Sequence, residues 1–293
     1  LGGEMKNNKK TFISIAMNFA NEMTEKNIAA YAASTAYFFF LSFIPLIMLV
    51  STLIPYTNIT ESDLIEALWQ ITPDAMNSFI SQVVDEAYRL NAGIFSFSII
   101  VTIWAGAIGM LALIRGLNAV INIDEKRNYF YLRFIAAVYT VAMLIILLML
   151  LSGIVFGESI RDIITSTYPV IIPIVKVLLR FKIIVVFVVA VFFLALIYTF
   201  VPGRKLKFTF QIPGAMFSAI GCSIFSFAFS MYINYAPGAY SIYGSLTTII
   251  IVMVWLYICF YIILIGAFIN DFFHPAMKFL YDGKIAVKKN YHK

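Results

Sequence analysis

Charge, histidine and cysteine are all scarce in this chain. Only 12% of its 293 residues are Asp, Glu, Lys or Arg, and there are two histidines and two cysteines. With so little charge, 62% hydrophobic residues and a mean hydropathy of +0.91, a soluble globular surface is excluded and a single polytopic membrane domain is indicated. His274 and His292 both lie beyond the last apolar run, so the apolar runs offer neither the carboxylate nor the histidine that a proton relay needs. There is no His/Cys cluster with metal spacing, no Gly-x-Ser-x-Gly and no phosphate-cradling Gly-rich loop with its lysine. No enzyme activity, metal or cofactor is therefore expected. Cys222 and Cys259 fall inside apolar runs and read as small packing residues. No cleavable signal peptide is evident, and Leu1-Gly-Gly-Glu4 ahead of Met5 reads as a cloning scar.

The apolar runs themselves are long. Tyr243 to Asn270 has no charge over 28 residues, roughly 42 Å as helix against a hydrocarbon core of about 30 Å. The charge-free stretch begins at Phe208 and extends over 63 residues, so it must turn back, and Pro237-Gly238 is the natural place. Runs of spanning length recur at about 36–54, 91–114, 134–157, 183–201, 213–234 and 243–270, giving an all-α fold of six transmembrane helices. Pro45 lies in the first and is expected to kink it. The segment Ile163–Val175 has 13 residues with Pro169 and Pro173 inside, which suits a re-entrant or interfacial piece. Residues 5–28 are expected to include an interfacial amphipathic helix that turns Phe12, Ile15, Ala16, Phe19 and Met23 to one face. Residues 56–90 read as short extracellular helices with Met76, Phe79, Ile80, Val83, Ala87 and Leu90 on one side, and 272–293 as a basic tail.

The formal charge of +6 would suit nucleic acid, but its distribution suits a membrane. Placing the tails and even loops on one side assigns sixteen of the 21 Lys and Arg to it and five to the other, so both termini are expected in the cytoplasm of a prokaryotic cell. Two features go further. Gly214, Ser218, Cys222, Ser226 and Ser230 recur every fourth position, a stripe that lets helices approach closely in lipid and could instead line a polar groove. Arg204, Lys205 and Lys207 precede Pro213-Gly214, so a basic loop before an expected helix N-terminus, flanked by Arg115, Arg127 and Arg133, forms a candidate inner mouth for anionic lipid head groups. Asn118, Tyr232, Asn234, Tyr243 and Tyr257 are the candidate wall of an amphipathic cavity. Trp104, Trp255, Tyr257 and Tyr261 lie deeper than the usual interfacial belt.

The order Ala36-Tyr37-Phe38-Phe39 to Phe43 and Pro45, Trp104, Arg115-Gly116-Leu117-Asn118, Arg127, Pro213-Gly214-Ala215, Tyr232, Tyr243-Gly244, Trp255-Leu256-Tyr257 and Gly266-Ala267 with Asn270 resembles the YihY/virulence factor BrkB family, once misnamed ribonuclease BN. The likeness covers about 30–270. It implies a six-span membrane protein and, from some members, export of lipid or lipopolysaccharide precursors. Where the family often has an acid after Gly-Ala in the last span, this chain has Phe268. The expectation is a carrier of an anionic amphiphile such as a phospholipid or lipid-linked envelope precursor, with membrane lipids as partners and no nucleic acid. A scaffold binding a partner through Met76, Phe79 and Val83 is the alternative, and a membrane ribonuclease the least favoured.

Overall fold

The computed structural model describes residues 17–53, 60–71, 76–88, 95–155, 182–204, 206–235 and 246–290, and among them every regular element is a helix. The helices are α1 (17–25), α2 (Ile28–Leu53), α3 (Glu61–Ile71), α4 (Asn77–Tyr88), α5 (Phe95–Val120), α6 (Tyr129–Val155), α7 (Lys182–Phe200), α8 (Phe208–Tyr235) and α9 (Leu246–Asn290). By length and composition α5, α6, α8 and α9 can each cross a membrane, while α2 and α7 carry the shorter apolar stretches Ile28–Phe43 and Val186–Phe200. Pro45 lies inside α2, which continues past it. The predicted Ile163–Val175 segment, and the turn at Pro237-Gly238, lie outside the described residues.

Two asparagines in the left-handed region, a conformation asparagine tolerates better than most residues, shape the corners. Asn27, φ 51°, ends α1, and its carbonyl accepts from the amides of Ala30 and Tyr31 to start α2. Asn122, also φ 51°, closes α5: its own amide reaches Ala119 O, and the next amide, Ile123, reaches back to Asn118 O at 2.8 Å. That pair of bonds satisfies carbonyls the helix end would otherwise leave open.

Helix α5 packs on α2 and α6, α9 on α2 and α8, and α7 on α8. The main core gathers Ile28 and Ala32 of α2, Met110 to Leu117 of α5, Leu132 and Ala136 of α6, Leu194 to Tyr198 of α7, Ala215 and Ala219 of α8, and Leu264 to Phe268 of α9. All of these lie toward the end carrying the α5–α6 and α7–α8 loops. Here Phe19 of α1 meets Phe268 at a tilt and Phe272 edge to face, with ring centroids 4.8 and 5.5 Å away, so the amphipathic helix docks on α9. At the opposite end a second core joins Phe40 of α2, Leu64 of α3, Met76, Phe79, Ile80 and Val84 of the α4 segment, and Val252 of α9. The apolar face of α4 is thus turned inward, unlike the partner-binding surface considered for Met76, Phe79 and Val83; Phe79 stacks on Phe40 and Phe43.

Between these cores the packing is uneven. Along α6 from Val141 to Ile146, α7 from Ile184 to Phe193 and α8 from Ile220 to Ile233, no described side chain is buried. The main core thus fills the loop-bearing end, while on the α6–α7–α8 side of the other end the described side chains face outward or are only partly covered.

Candidate functional site

The every-fourth stripe of α8 faces α9. The Gly214 amide donates to Asn270 Oδ1 at 2.7 Å, and Asn270 Nδ2 donates to Gln211 O and Oε1, both at 3.1 Å. One turn on, Ser218 Oγ reaches Ile262 O at 3.1 Å and shares a 2.8 Å bond with the Tyr198 hydroxyl, which donates to Ile263 O at 2.6 Å. Cys222 Sγ then points at Cys259 O at 3.7 Å, and Trp255 Nε1 donates to Ser226 Oγ at 3.1 Å. Ser230 continues the same face. The small side chains bring α8 close enough for α9 carbonyls to serve as acceptors. A Cβ added at Gly214 would strike Gly266 O, and one at Gly266 would meet Ser218 Oγ and Tyr198 Oη.

Helix α8 begins at Phe208, so Pro213 sits in its body and the Gly214 amide, expected to face anions from a helix N-terminus, belongs to Asn270. The basic end is likewise internally paired. Arg127 forks onto Glu125, Nε to Oε1 at 2.7 Å and the terminal nitrogen to Oε2 at 2.6 Å. Asn118 Nδ2 donates to Glu125 Oε2 at 2.7 Å, while Asn118 Oδ1 accepts from the Gly203 amide at 2.8 Å. Bonding from the Arg127 side chain holds the Glu125 carboxyl below its ordinary range, and the same bond raises Arg127. This clasp ties the α5–α6 loop to the α7–α8 loop. A second contact closes the α1–α2 corner: Lys26 Nζ donates to Val120 O at 2.5 Å, lies 3.4 Å from Asp271 Oδ2 and sits 4.6 Å above the Phe268 ring. Phe268 is fully buried there. Beside it an open cleft of about 510 Å³ is lined by Glu22, Glu25, Asn27, Tyr31 and Asn122, among others.

The proposed contacts are therefore dispersed. Asn118 and Arg127 meet in the clasp; Arg115 and Arg204 are exposed near it; Lys207 is exposed with its amine 5.8 Å from the Phe210 ring. Lys205 and Tyr243 lie outside the described residues, as does the side chain of Asn234. Tyr232 is exposed about 27 Å along α8 from Gly214, and Tyr257 stacks on Tyr261 at 6.0 Å between ring centroids. Among the described residues no three His, Cys, Asp or Glu side chains gather as metal ligands would. Gln211, Tyr198, Glu125 and the Lys26–Asp271 pair were not singled out from sequence. A clue for Glu125 was its place two residues before Arg127 in a basic loop; Tyr198, which pairs with the Ile263 carbonyl and the Ser218 hydroxyl, leaves no such clue.

Comparison with known proteins adds identity to this geometry. The chain is 30% identical to the ribonuclease-like protein YfkH of Bacillus subtilis over 258 residues, covering 84% of this chain and 90% of the relative. It is 25% identical over 280 residues to a UPF0761 membrane protein of Pseudoalteromonas atlantica, covering 89% of this chain and 87% of that protein. A UPF0761 membrane protein of Idiomarina loihiensis is 41% identical over 75 residues, 26% of each chain. No solved structure matches. The profile of the family described as Virulence factor BrkB matches residues 19–282, nearly the whole described helical body, and the chain is a membrane protein belonging to that family.

Proposed function

We propose that this protein is a non-enzymatic carrier that moves an anionic amphiphile, a phospholipid or lipid-linked envelope precursor, across the cytoplasmic membrane. In this reading α2, α5, α6, α7, α8 and α9 are six spans and the end bearing the Lys26 and Arg127 clasps faces the cytoplasm, following the sixteen-to-five bias in basic residues. The observation that carries the proposal is the uneven packing: a buried core at the basic end, against α6, α7 and α8 stretches with no buried described side chain toward the other. In this reading the packed end is the closed mouth of one carrier state, and the uncovered stretches of α6, α7 and α8 are where the other mouth opens. Exposed Arg115 and Arg204 beside the sealed mouth supply the attraction for an acidic head group.

Purified protein in liposomes tests this directly. Transfer of fluorescent anionic lipids between leaflets should rise above protein-free vesicles, more than transfer of zwitterionic ones. No change across a head-group panel would remove the reading in favour of a membrane scaffold. That scaffold would have to bind through a surface other than the α4 apolar face, because Met76 and Phe79 are only 2% and 8% exposed.

A further inference from the structure

We propose that Arg133 and Trp104 form a binding site for the phosphate of an anionic lipid on the lipid-facing surface between α5 and α6. The guanidinium carbon of Arg133 stands 4.7 Å from the centre of the Trp104 ring, and that ring is 64% exposed. Arg133 lies one turn into α6, at the level where Tyr129, Phe130 and Phe134 are also exposed, an aromatic girdle of the kind found at head-group depth. Trp104, however, lies within the apolar stretch Ile100–Val120, sixteen residues before its end.

An arginine at a membrane boundary ordinarily extends its head group toward water. This one turns onto an indole inside the apolar stretch. The ring face attracts the cation but accepts none of its five N–H donors in the plane of the fork. Neither ion pair among the described residues involves Arg133; those are Lys26–Asp271 and Arg127–Glu125. The guanidinium therefore lies against Trp104 with no carboxylate partner among the described residues, which leaves its donor edge for a ligand on this exposed face. A phosphate with two unhindered oxygens matches that edge with two parallel bonds, which a lysine ammonium could not reproduce. A phosphomonoester lipid fits best, since it has no choline or ethanolamine to occupy the same space. This site concerns binding alone and stands whether or not the protein transports lipid.

The test uses the whole protein in nanodiscs, with Trp104 as reporter and lipids brominated on their acyl chains as quenchers. The quenching that disappears in Trp104→Leu isolates this site from Trp69 and Trp255. Brominated phosphatidic acid should quench at about a tenfold lower mole fraction than brominated phosphatidylcholine, the size expected for one charge-assisted bidentate pair. Arg133→Gln should reduce that preference to less than about twofold, and Arg133→Lys should leave an intermediate one, with both variants eluting and melting like the parent. Equal quenching by the two lipids in the parent, or an undiminished preference in Arg133→Gln, would overturn the proposal. So would a preference erased by millimolar inorganic phosphate, which would make the ligand a soluble anion instead of a lipid.

Discussion

Replacing Gly214 by alanine tests the close approach of α8 to α9. The added methyl would strike the backbone oxygen of Gly266 and come within 2.6 Å of Asn270 Cγ. Neither obstacle is the free end of a flexible side chain, so α8 and α9 must move apart. Overpacking of this kind costs about 1 to 3 kcal/mol, and a rigid backbone obstacle belongs at the upper end. Separation also stretches the Gly214–Asn270 and Asn270–Gln211 bonds, each contributing about 1 kcal/mol and leaving buried partners if lost. Alanine recovers about 1 kcal/mol of helix propensity, so the net loss should be about 2 kcal/mol if the bonds survive and about 4 kcal/mol if both are lost. Gly221→Ala is the internal control on the same helix. Its methyl would meet side-chain atoms of Ile262, Cγ2 at 2.9 Å, and no backbone, so a small shift of that side chain offset by about 1 kcal/mol of regained helix propensity should leave a net cost of about 1 kcal/mol or less. Equilibrium unfolding in mixed micelles compares the two. Equal stability of the two variants would refute the close α8–α9 register on which this calculation depends.

Acid should loosen the basic-end clasp. A carboxyl depressed on folding, as Glu125 is by Arg127, contributes stability above its unfolded pKa and loses it as pH falls through its folded one, so loosening begins at about pH 4 and grows below it. Amide exchange over residues 201–204, corrected for intrinsic rate, should be flat from neutral pH to about 5 and accelerate below about 4, while Glu125→Gln should exchange fast throughout; a pH-independent parent would contradict this. Cys222 and Cys259 share the α8–α9 seam, so oxidation with copper phenanthroline should give an intramolecular disulfide, read as protection of both thiols from a maleimide-polymer gel shift and absent in either serine variant; unprotected thiols would place the helices in another register. Phe79→Ala should cost about 3 kcal/mol in the same micelle unfolding, because the ring fills the space between Phe40 and Phe43. A variant of parental stability would return that face to the surface.

Much of this architecture was legible because lipid makes charge expensive, and a chain that omits charge for 63 residues announces its solvent. Helix ends were less legible for the same reason. Absence of charge marks the depth of the bilayer, whereas a helix needs only its backbone bonds, so α5 passes through Arg115 to Val120 and α9 passes Asp271 to reach Asn290. The four-residue spacing identified the α8 face, but its partners include carbonyl oxygens of Cys259 and Ile262, which every residue type carries. The inner mouth was harder still. Counting cations treats Arg127 and Arg204 alike, although the first is tied to Glu125 and the second is exposed.

The polar atoms of the α8–α9 seam and the proposed passage of an amphiphile belong to different parts of the molecule. Along the seam the donors find acceptors within the protein, Gly214 in Asn270, Tyr198 in Ile263 and Trp255 in Ser226. A ladder satisfied in this way has no vacancy for a head group and would lose stability if prised open, because lipid cannot replace the bonds. The stretches of α6 and α7 that bury nothing have the opposite character. Val141, Ile145, Val186 and Val189 are apolar and at least a third exposed, so their neighbours can change from protein to acyl chain without breaking a hydrogen bond. Among the described residues α6 is held there by dispersion contacts and by the Tyr139 hydroxyl bond to Phe200 O at 2.7 Å, whereas Tyr198 ties α7 to Ser218 and Ile263 of the seam. The small-residue stripe thus fixes α8 to α9, Tyr198 joins α7 to the same body, and any alternation between open and sealed states falls to α6 moving against it.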